Sequence, residues 1–218
     1  MFFFRSYSQW GEDSIVSQFI YDDGWTYIDI GSNHPVHGND TFFLYRRGCK
    51  GILVDPIESN QKLTRRIRPR DEFVLGLISD KGKVNFYQFS NSGISTADSA
   101  RAKTLQSSGN FIIAEYFPDV YSLTEVFEML PFEGKQVFLK IDVEGLELNV
   151  LKSLDFCRYR PDLILVEELE TLPREQTPLR TFLEERGYDL IISAYNSHLF
   201  KIKLLDQSKF LGIDRNQP

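Results

Sequence analysis

The sequence predicts an α/β domain built on a mainly parallel sheet, and three observations predict it. Apolar runs of strand length recur along the chain, among them Thr26 to Ile30, Gly51 to Asp55, Val137 to Asp142 and Leu163 to Glu167. Segments with helical spacing lie between these runs, and alternation of strand and helix favours a sheet covered on both faces. The last two apolar runs, Tyr188 to Ala194 and Leu199 to Leu204, meet around Tyr195-Asn196-Ser197 as a hairpin, so one strand must run antiparallel. At 218 residues the chain suits one such domain with a full core and is short for two, so residues 1–218 are read as a single domain.

Taken in order, Gly11 to Tyr21 sets Ile15, Val16, Phe19 and Ile20 on one helical face, with Glu12 and Asp13 in the first turn where the helix dipole favours acids. The first strand, Thr26 to Ile30, is followed by a helical stretch from Asn39 to Arg47. Helix Glu58 to Ile67 follows the second strand and stops at Arg68-Pro69; Phe73 to Ile78 reads as a third strand, and Val84 to Phe89 as a strand paired with it across Lys81-Gly82. Residues 90–110 form a long polar stretch, read as a mobile lid, an acceptor loop or a plain connection. Ser122 and Glu125 have capping-box spacing for a helix to Leu130, Leu146 to Leu154 is the helix after Val137 to Asp142, and Thr177 to Arg186 is a helix stopped by Gly187.

Composition narrows the classes of function. Hydrophobic residues make up 42% and aromatic residues 14%, with 18 phenylalanines, which is a globular composition with a phenylalanine-rich core. The net charge of −6, from 25 basic and 31 acidic residues, argues against a general nucleic-acid binder. Two cysteines, Cys49 and Cys157, imply no disulfide framework. Met1-Phe2-Phe3-Phe4 is too short for a signal peptide or a membrane span, so a soluble, cytoplasmic protein is expected. The oligomeric state does not follow from the sequence.

The most informative stretch is Tyr27-Ile28-Asp29-Ile30-Gly31-Ser32-Asn33, a buried strand breaking into a small-residue turn behind an acid. A second acid, Asp55, ends the next strand, where doubly wound sheets meet ribose hydroxyls. The run Gly31-Ser32-Asn33-His34-Pro35-Val36 keeps only the first glycine of a dinucleotide fingerprint, so a nicotinamide cofactor fits poorly. S-adenosylmethionine, which has no pyrophosphate to cradle, fits better. Asp29, Gly31, Ser32 and Asn33 are assigned to its amino-acid part and Asp55 to its ribose. Pro56 and Ile57, or Leu77, Ile78 and Ser79, are assigned to its adenine. Asp29 as a loop-capping carboxylate is the structural alternative.

Asp142 and Glu144 stand at the carboxyl end of a strand, the edge where open α/β sheets bind ligands, and are the main catalytic candidates. They could share a proton, flank a sulfonium or, with Glu167, hold a divalent cation. Lys140 points to the same face as Asp142 and is read equally as catalytic or as half of a buried ion pair. Glu147 is a helix cap or a ligand, and Glu168 extends the acidic rim. His34 and His37 are weak base or metal-ligand candidates that could equally be loop residues. Gln9, Glu12 and Asp13 either close over the cofactor or cap a helix. Lys62, Arg65, Arg66, Arg68 and Arg70 form a basic run read chiefly as a solvated helix face.

Four blocks together, Tyr7-Ser8-Gln9 with Gly11-Glu12-Asp13, Tyr27 to Asn33, Gly51 to Pro56, and Lys140-Ile141-Asp142-Val143-Glu144-Gly145-Leu146-Glu147, resemble the FkbM-type methyltransferases. The last block is the most specific. The common family form of the first loop has Gly-Ala-Asn, where this chain has Ser32 in place of alanine and His34-Pro35 after it. The resemblance implies a Rossmann-like class I methyltransferase fold with seven strands. It further implies S-adenosylmethionine as methyl donor, and a sugar hydroxyl of a glycan or glycosylated metabolite as acceptor. It places Gln9 and Glu12 near the cofactor. Because the first block starts at Tyr7, the chain could also be one domain of a longer polypeptide. The alternatives are a methyltransferase acting on protein or nucleic acid, an inactive cofactor-binding scaffold and, remotely, a nicotinamide oxidoreductase.

Overall fold

The computed structural model describes residues 6–22, 24–80, 82–129, 135–169 and 176–203. In chain order its strands are β1 (Trp25–Ile30), β2 (Lys50–Asp55), β3 (Glu72–Leu75), β4 (Leu77–Ile78), β5 (Phe86–Phe89), β6 (Ile112–Tyr116), β7 (Val120–Tyr121), β8 (Gln136–Ile141), β9 (Leu163–Glu167), β10 (Tyr188–Ala194) and β11 (Ser197–Ile202). The helices are α1 (Glu12–Val16), α2 (Phe42–Arg46), α3 (Glu58–Ile67), α4 (Ser99–Ser107), α5 (Leu123–Glu128), α6 (Glu147–Lys152) and α7 (Pro178–Glu184).

Seven of the described strands form one sheet in the order β10-β11-β9-β8-β1-β2-β3. β1, β2, β3, β8 and β9 pair in parallel, while β11 is antiparallel to both β9 and β10. This is the predicted α/β architecture, with the antiparallel pair at its C-terminal edge. Alternate side chains build two cores. Ile28, Ile30, Val54, Leu139, Ile141 and Val166 pack against Leu123 and Val126 of α5, Val150 of α6 and Leu183 of α7. On the other face Tyr27, Leu53, Phe138 and Leu165 meet Val16 of α1 and Phe42 to Tyr45 of α2. The chain leaves β1 toward β2 and enters the other half of the sheet through β8, so the switch point lies between β1 and β8.

Several predicted boundaries shift for identifiable reasons. α1 is short, yet Ile15, Val16, Phe19 and Ile20 all join the expected apolar face. α2 starts at Phe42 rather than Asn39, because Asn39 and Thr41 turn inward to hydrogen-bond Asp29. The expected third strand breaks at Gly76, where a Cβ would meet the Asp119 carbonyl oxygen at 2.6 Å, and Leu77–Ile78 then pairs with Val120–Tyr121. β5 pairs antiparallel with β6, which replaces the predicted pairing across Lys81-Gly82; Lys81 lies outside the described residues. The polar stretch 90–110 contains a 3-10 turn, Ser92–Ile94, and α4, capped by the Asp98 side chain accepting from the Ala100 and Arg101 amides. The capping box at Ser122 and Glu125 forms as expected. Leu130 and Leu204 fall outside the described residues.

Arg68 departs from the solvated reading of the basic run. Lys62, Arg65, Arg66 and Arg70 are exposed, but Arg68 is fully buried. Its Nε lies 2.6 Å from Asp71 Oδ2, its terminal nitrogens reach Asn39 Oδ1 at 3.0 Å and the Tyr27 hydroxyl at 2.9 Å, and the guanidinium stacks near the Tyr27, Phe42 and Tyr45 rings. A buried charge that loses its partner is costly. Arg68→Met is therefore expected to lower unfolding stability by about 3–5 kcal/mol, with part of the loss recovered in Arg68→Met/Asp71→Asn. Denaturant midpoints equal to the parent's would refute the role given to this pair.

Candidate active site

The carboxyl ends of β1, β2, β8 and β9 open onto a cavity of about 520 Å³. Its first wall is the loop after β1. Gly31 has φ 74°, and a Cβ there would lie 1.7 Å from the Asp142 carbonyl oxygen, so only glycine lets the ends of β1 and β8 close together. Asn33 takes φ 44°, a conformation asparagine tolerates, and its amide donates to Asp55 Oδ2 at 3.0 Å. Asp55 Oδ1 accepts from the Ile57 amide at 2.9 Å and from Asn60 Nδ2 at 3.1 Å. Burial pushes Asp55 up to about 6 against the pull of these three donors. Beside it Ile57, Leu77 and Phe86, with Val84 and Ala97, form an apolar slot.

The opposite side is acidic. Asp142, Glu144 and Glu167 each place a carboxylate oxygen within 4.8 Å of the other two. Burial, the facing Asp142 carboxylate and Glu144 push Glu167 up to about 9. Burial and Asp142 also raise Glu144, opposed by Arg101, whose Nε donates to Glu144 Oε2 at 2.9 Å. The turn carrying these groups is held tightly: Thr96 Oγ1 donates to the Glu144 carbonyl at 2.8 Å, and Glu147 Oε1 accepts from the Val143 and Gly145 amides at 3.2 and 3.0 Å. Glu147 is thus a cap, pushed up to about 7 by burial.

Most of the sequence-predicted residues converge here: Gln9, Gly31, Asn33, Asp55, Pro56, Ile78, Ser79, Asp142, Glu144 and Glu167 all line the cavity. Others lie behind it. Asp29 is fully buried, accepting from Thr41 Oγ1 at 2.7 Å and Asn39 Nδ2 at 3.0 Å, which is the loop-organising alternative, and Ser32 is buried with it. Lys140 is the buried ion pair, 3.4 Å from Asp29 Oδ1 and 3.3 Å from Asp142 Oδ2. Burial opposes its charge, but Asp142, Asp29 and Asp40 outweigh burial and hold it well above the ordinary lysine range. His34 turns away: its Nδ1 accepts from the Val36 and His37 amides at 3.1 and 3.0 Å, which leaves no free lone pair for a proton. His37 lines the cavity. Glu12 lines a recess of about 30 Å³ next to the main cavity, with Asp40 and Lys140.

Sequence reasoning missed Asp40, Trp10, Asn196 and Arg101, and it marked the polar stretch 90–110 as a lid, acceptor loop or connection without naming the residues that reach the site. Asp40, pushed up to about 7 by burial, has no motif to mark it. Trp10 and Asn196 reach the cavity from the N-terminal segment and the hairpin tip. Residues 91–95 of the polar stretch form a wall, with Ser92 Oγ donating to Asn33 Oδ1 at 2.9 Å, and Arg101 closes on Glu144 from α4.

Among solved structures the chain is similar to a TehB-like SAM-dependent methyltransferase from Corynebacterium glutamicum, at 14% identity and a TM-score of 0.43, over 90% of this chain and 89% of that one. It is also similar to monomeric WbdD, at 12% identity and a TM-score of 0.44, over 91% of this chain and 42% of that one. No curated protein matches. Among the described residues no helix is long and apolar enough to cross a membrane. The model of the methyltransferase FkbM domain matches residues 29–190, from the acid inside β1 into β10, so it takes in the glycine turn, both strand-end acids and the carboxylate cluster; the chain belongs to the FkbM methyltransferase family.

Proposed function

We propose that the chain is an S-adenosylmethionine-dependent O-methyltransferase that modifies a hydroxyl of a sugar, in a glycan or a glycosylated metabolite. The observation that carries this reading is the cluster of Asp142, Glu144 and Glu167 on the cavity wall, with the apolar slot on the other side. An alcohol must lose its proton as it is alkylated, and buried carboxylates at a cavity wall suit that task. The acceptor class follows the family resemblance. The polar rim of Gln9, Asn196, Asp142 and Glu167 is compatible with it.

The residues fit the methyl donor. Asp55 faces the cavity where ribose hydroxyls would donate, the slot of Ile57, Leu77, Ile78 and Phe86 suits adenine, and Gly31 and Asn33 offer backbone and amide groups to the amino-acid part. A cavity of about 520 Å³ lies within the usual range for such ligands. When bound, the sulfonium supplies an electrophilic methyl carbon. The chain's part is to aim the acceptor oxygen behind that carbon and to take its proton onto the Asp142–Glu167 pair. Lys140 stays cationic 3.3 Å from Asp142 Oδ2 and steadies the charge there. The basic run Lys62 to Arg70 contributes no residue to the cavity lining, which weighs against the protein or nucleic-acid alternative.

Calorimetric titration is expected to show binding of S-adenosylmethionine and its demethylated product but not of NAD, with at least tenfold weaker binding in Asp55→Ala. Binding of NAD, or of neither, would overturn the reading. Because Glu167 holds its proton up to about pH 9, the transfer rate is expected to climb with pH through neutrality toward that value. Glu167→Gln should move this inflection down, and an unmoved inflection would take Glu167 out of the proton path. Asp142→Asn is expected to slow transfer by about 10²- to 10⁴-fold while leaving cofactor affinity within a few-fold.

The same three carboxylates support a second reading, in which Asp142, Glu144 and Glu167 hold a hard divalent cation through oxygen donors. Lys140 and Arg101 already face two of them. Turnover is therefore expected to survive exhaustive chelation; loss of turnover that magnesium restores would favour the cation.

A further inference from the structure

Two aromatic rings stand together at the mouth of the cavity. Trp10 and Tyr195 stack with centroids 5.2 Å apart and planes 28° from parallel, yet they remain 60% and 68% exposed. Each ring thus covers one face of the other and leaves an outer face open. Trp10 and Asn196, the residue after Tyr195, line the cavity together with Glu167. The pair therefore sits on the acidic side, away from the slot assigned to adenine.

The stack is held from below. Glu12 is buried, with Oε2 accepting from the Trp10 amide at 2.9 Å and Oε1 accepting from Ser197 Oγ at 3.3 Å, so one carboxylate ties the N-terminal segment to the hairpin tip. The Glu168 amide donates to the Asn196 carbonyl at 2.7 Å and fixes the tip to the end of β9. Tyr195 is the first residue of a two-residue hairpin turn and has φ 52°, a position that normally favours glycine, asparagine or aspartate. A bulky ring there is a local sacrifice of backbone comfort, with no buried packing to account for it.

We infer that Trp10 and Tyr195 form the acceptor shelf: a pyranose ring lays its apolar face on the open side of the stack and presents a hydroxyl to Asp142 and Glu167. This rests on the sugar-methylation reading above. An electron-rich aromatic face attracts the polarised C–H bonds of a sugar ring. The surrounding groups, the Gln9 and Asn196 amides and the Glu167 carboxyl, are hydrogen-bond partners suited to a polyhydroxylated ring rather than to an apolar phenol. Glu12 is a positioning residue for the shelf.

The test uses the full chain labelled with 5-fluorotryptophan. Its two tryptophans give two fluorine resonances, exposed Trp10 as reporter and buried Trp25 as internal reference. Titration of the cofactor-loaded protein with methyl glucoside, methyl mannoside, methyl rhamnoside and catechol, with methyl transfer to each measured in parallel, separates the shelf from the reaction. A glycoside is expected to move Trp10 and leave Trp25 in place. Tyr195→Gly, which suits the backbone of that turn, should keep or raise the melting temperature while weakening the glycoside at least fivefold, with KM rising more than kcat falls. Glycosides that are methylated with Trp10 unmoved would overturn the shelf and leave the methylation reading standing. Glycosides that move Trp10 without being methylated would support the shelf and count against the reading. A Trp10 resonance moved by catechol alone, or by no probe, would overturn the shelf.

Discussion

Lys140 lies under the floor of the cavity, 3.4 Å from Asp29 Oδ1, 3.3 Å from Asp142 Oδ2 and 3.2 Å from the Gly31 carbonyl oxygen, and the site is arranged around that ammonium. Its contacts join the end of β1 to the end of β8 across the switch point. From Asp29 the network continues through Thr41 and Asn39 to the Arg68 guanidinium, and through Arg68 to Asp71 and the Tyr27 hydroxyl. Two buried ion pairs, Lys140 with Asp29 and Arg68 with Asp71, are therefore joined through Thr41 and Asn39, neutral side chains that each donate and accept. Such a network contributes little net stability against an apolar core, but each member is costly to remove because the remainder is left buried and unpaired. That asymmetry makes the geometry of the loop after β1 hard to shift.

The same charges set the chemistry of the cavity. Asp142, Glu144 and Glu167 converge, but the cations facing them are Lys140 on Asp142 and Arg101 on Glu144. Glu167, partly desolvated beside the other two carboxylates, is pushed up by burial and by Asp142 and Glu144, with Lys140 opposing only in part. In the proposed reaction, Glu167 and Asp142, which share a side-chain hydrogen bond, are the pair that would take up the acceptor's proton. Arg101 comes from α4, so the polar stretch acts on the site through charge as well as by walling it.

The strands were legible because buried parallel strands are continuous apolar runs, and β9 and α3 fall on their predicted boundaries. The acids at strand ends were legible for a related reason: the topology of such a sheet fixes where its loops open. What the sequence hid are contacts between distant segments. Arg68 reads as one more basic residue on an exposed helix, and only the fold shows the pocket formed for it by Tyr27, Asn39 and Thr41. α4 has no apolar stripe, with Ala102 its buried residue, so periodicity could not find it. Trp10 and Asn196, far apart in sequence, meet only because β11 folds back beside β9. The local role of His34 was likewise hidden, since its Nδ1 accepts from the Val36 and His37 amides within the turn it sits in.

Backbone strain marks the same region independently of side-chain chemistry. Among the described residues, the non-glycine positions with positive φ are Asn33 at 44°, Glu144 at 59° and Tyr195 at 52°. Asn33 and Glu144 line the cavity, and Tyr195 precedes Asn196, which also lines it. The first costs little; the other two belong to residue types that rarely adopt this conformation. Each is held by contacts that a relaxed turn would forfeit: Asn33 by Asp55 and Ser92, Glu144 by Thr96, Arg101 and the Glu147 cap, Tyr195 by the Trp10 ring and the bond between the Glu168 amide and Asn196. Strain confined to three points around one cavity, with packing elsewhere regular enough to sustain it, is what a site selected for placement of groups produces. The three points fall on the loop proposed to hold the cofactor, on the carboxylate cluster and on the proposed aromatic shelf, so a change that relaxed any one of them would stabilise the backbone locally while moving its side chain off target.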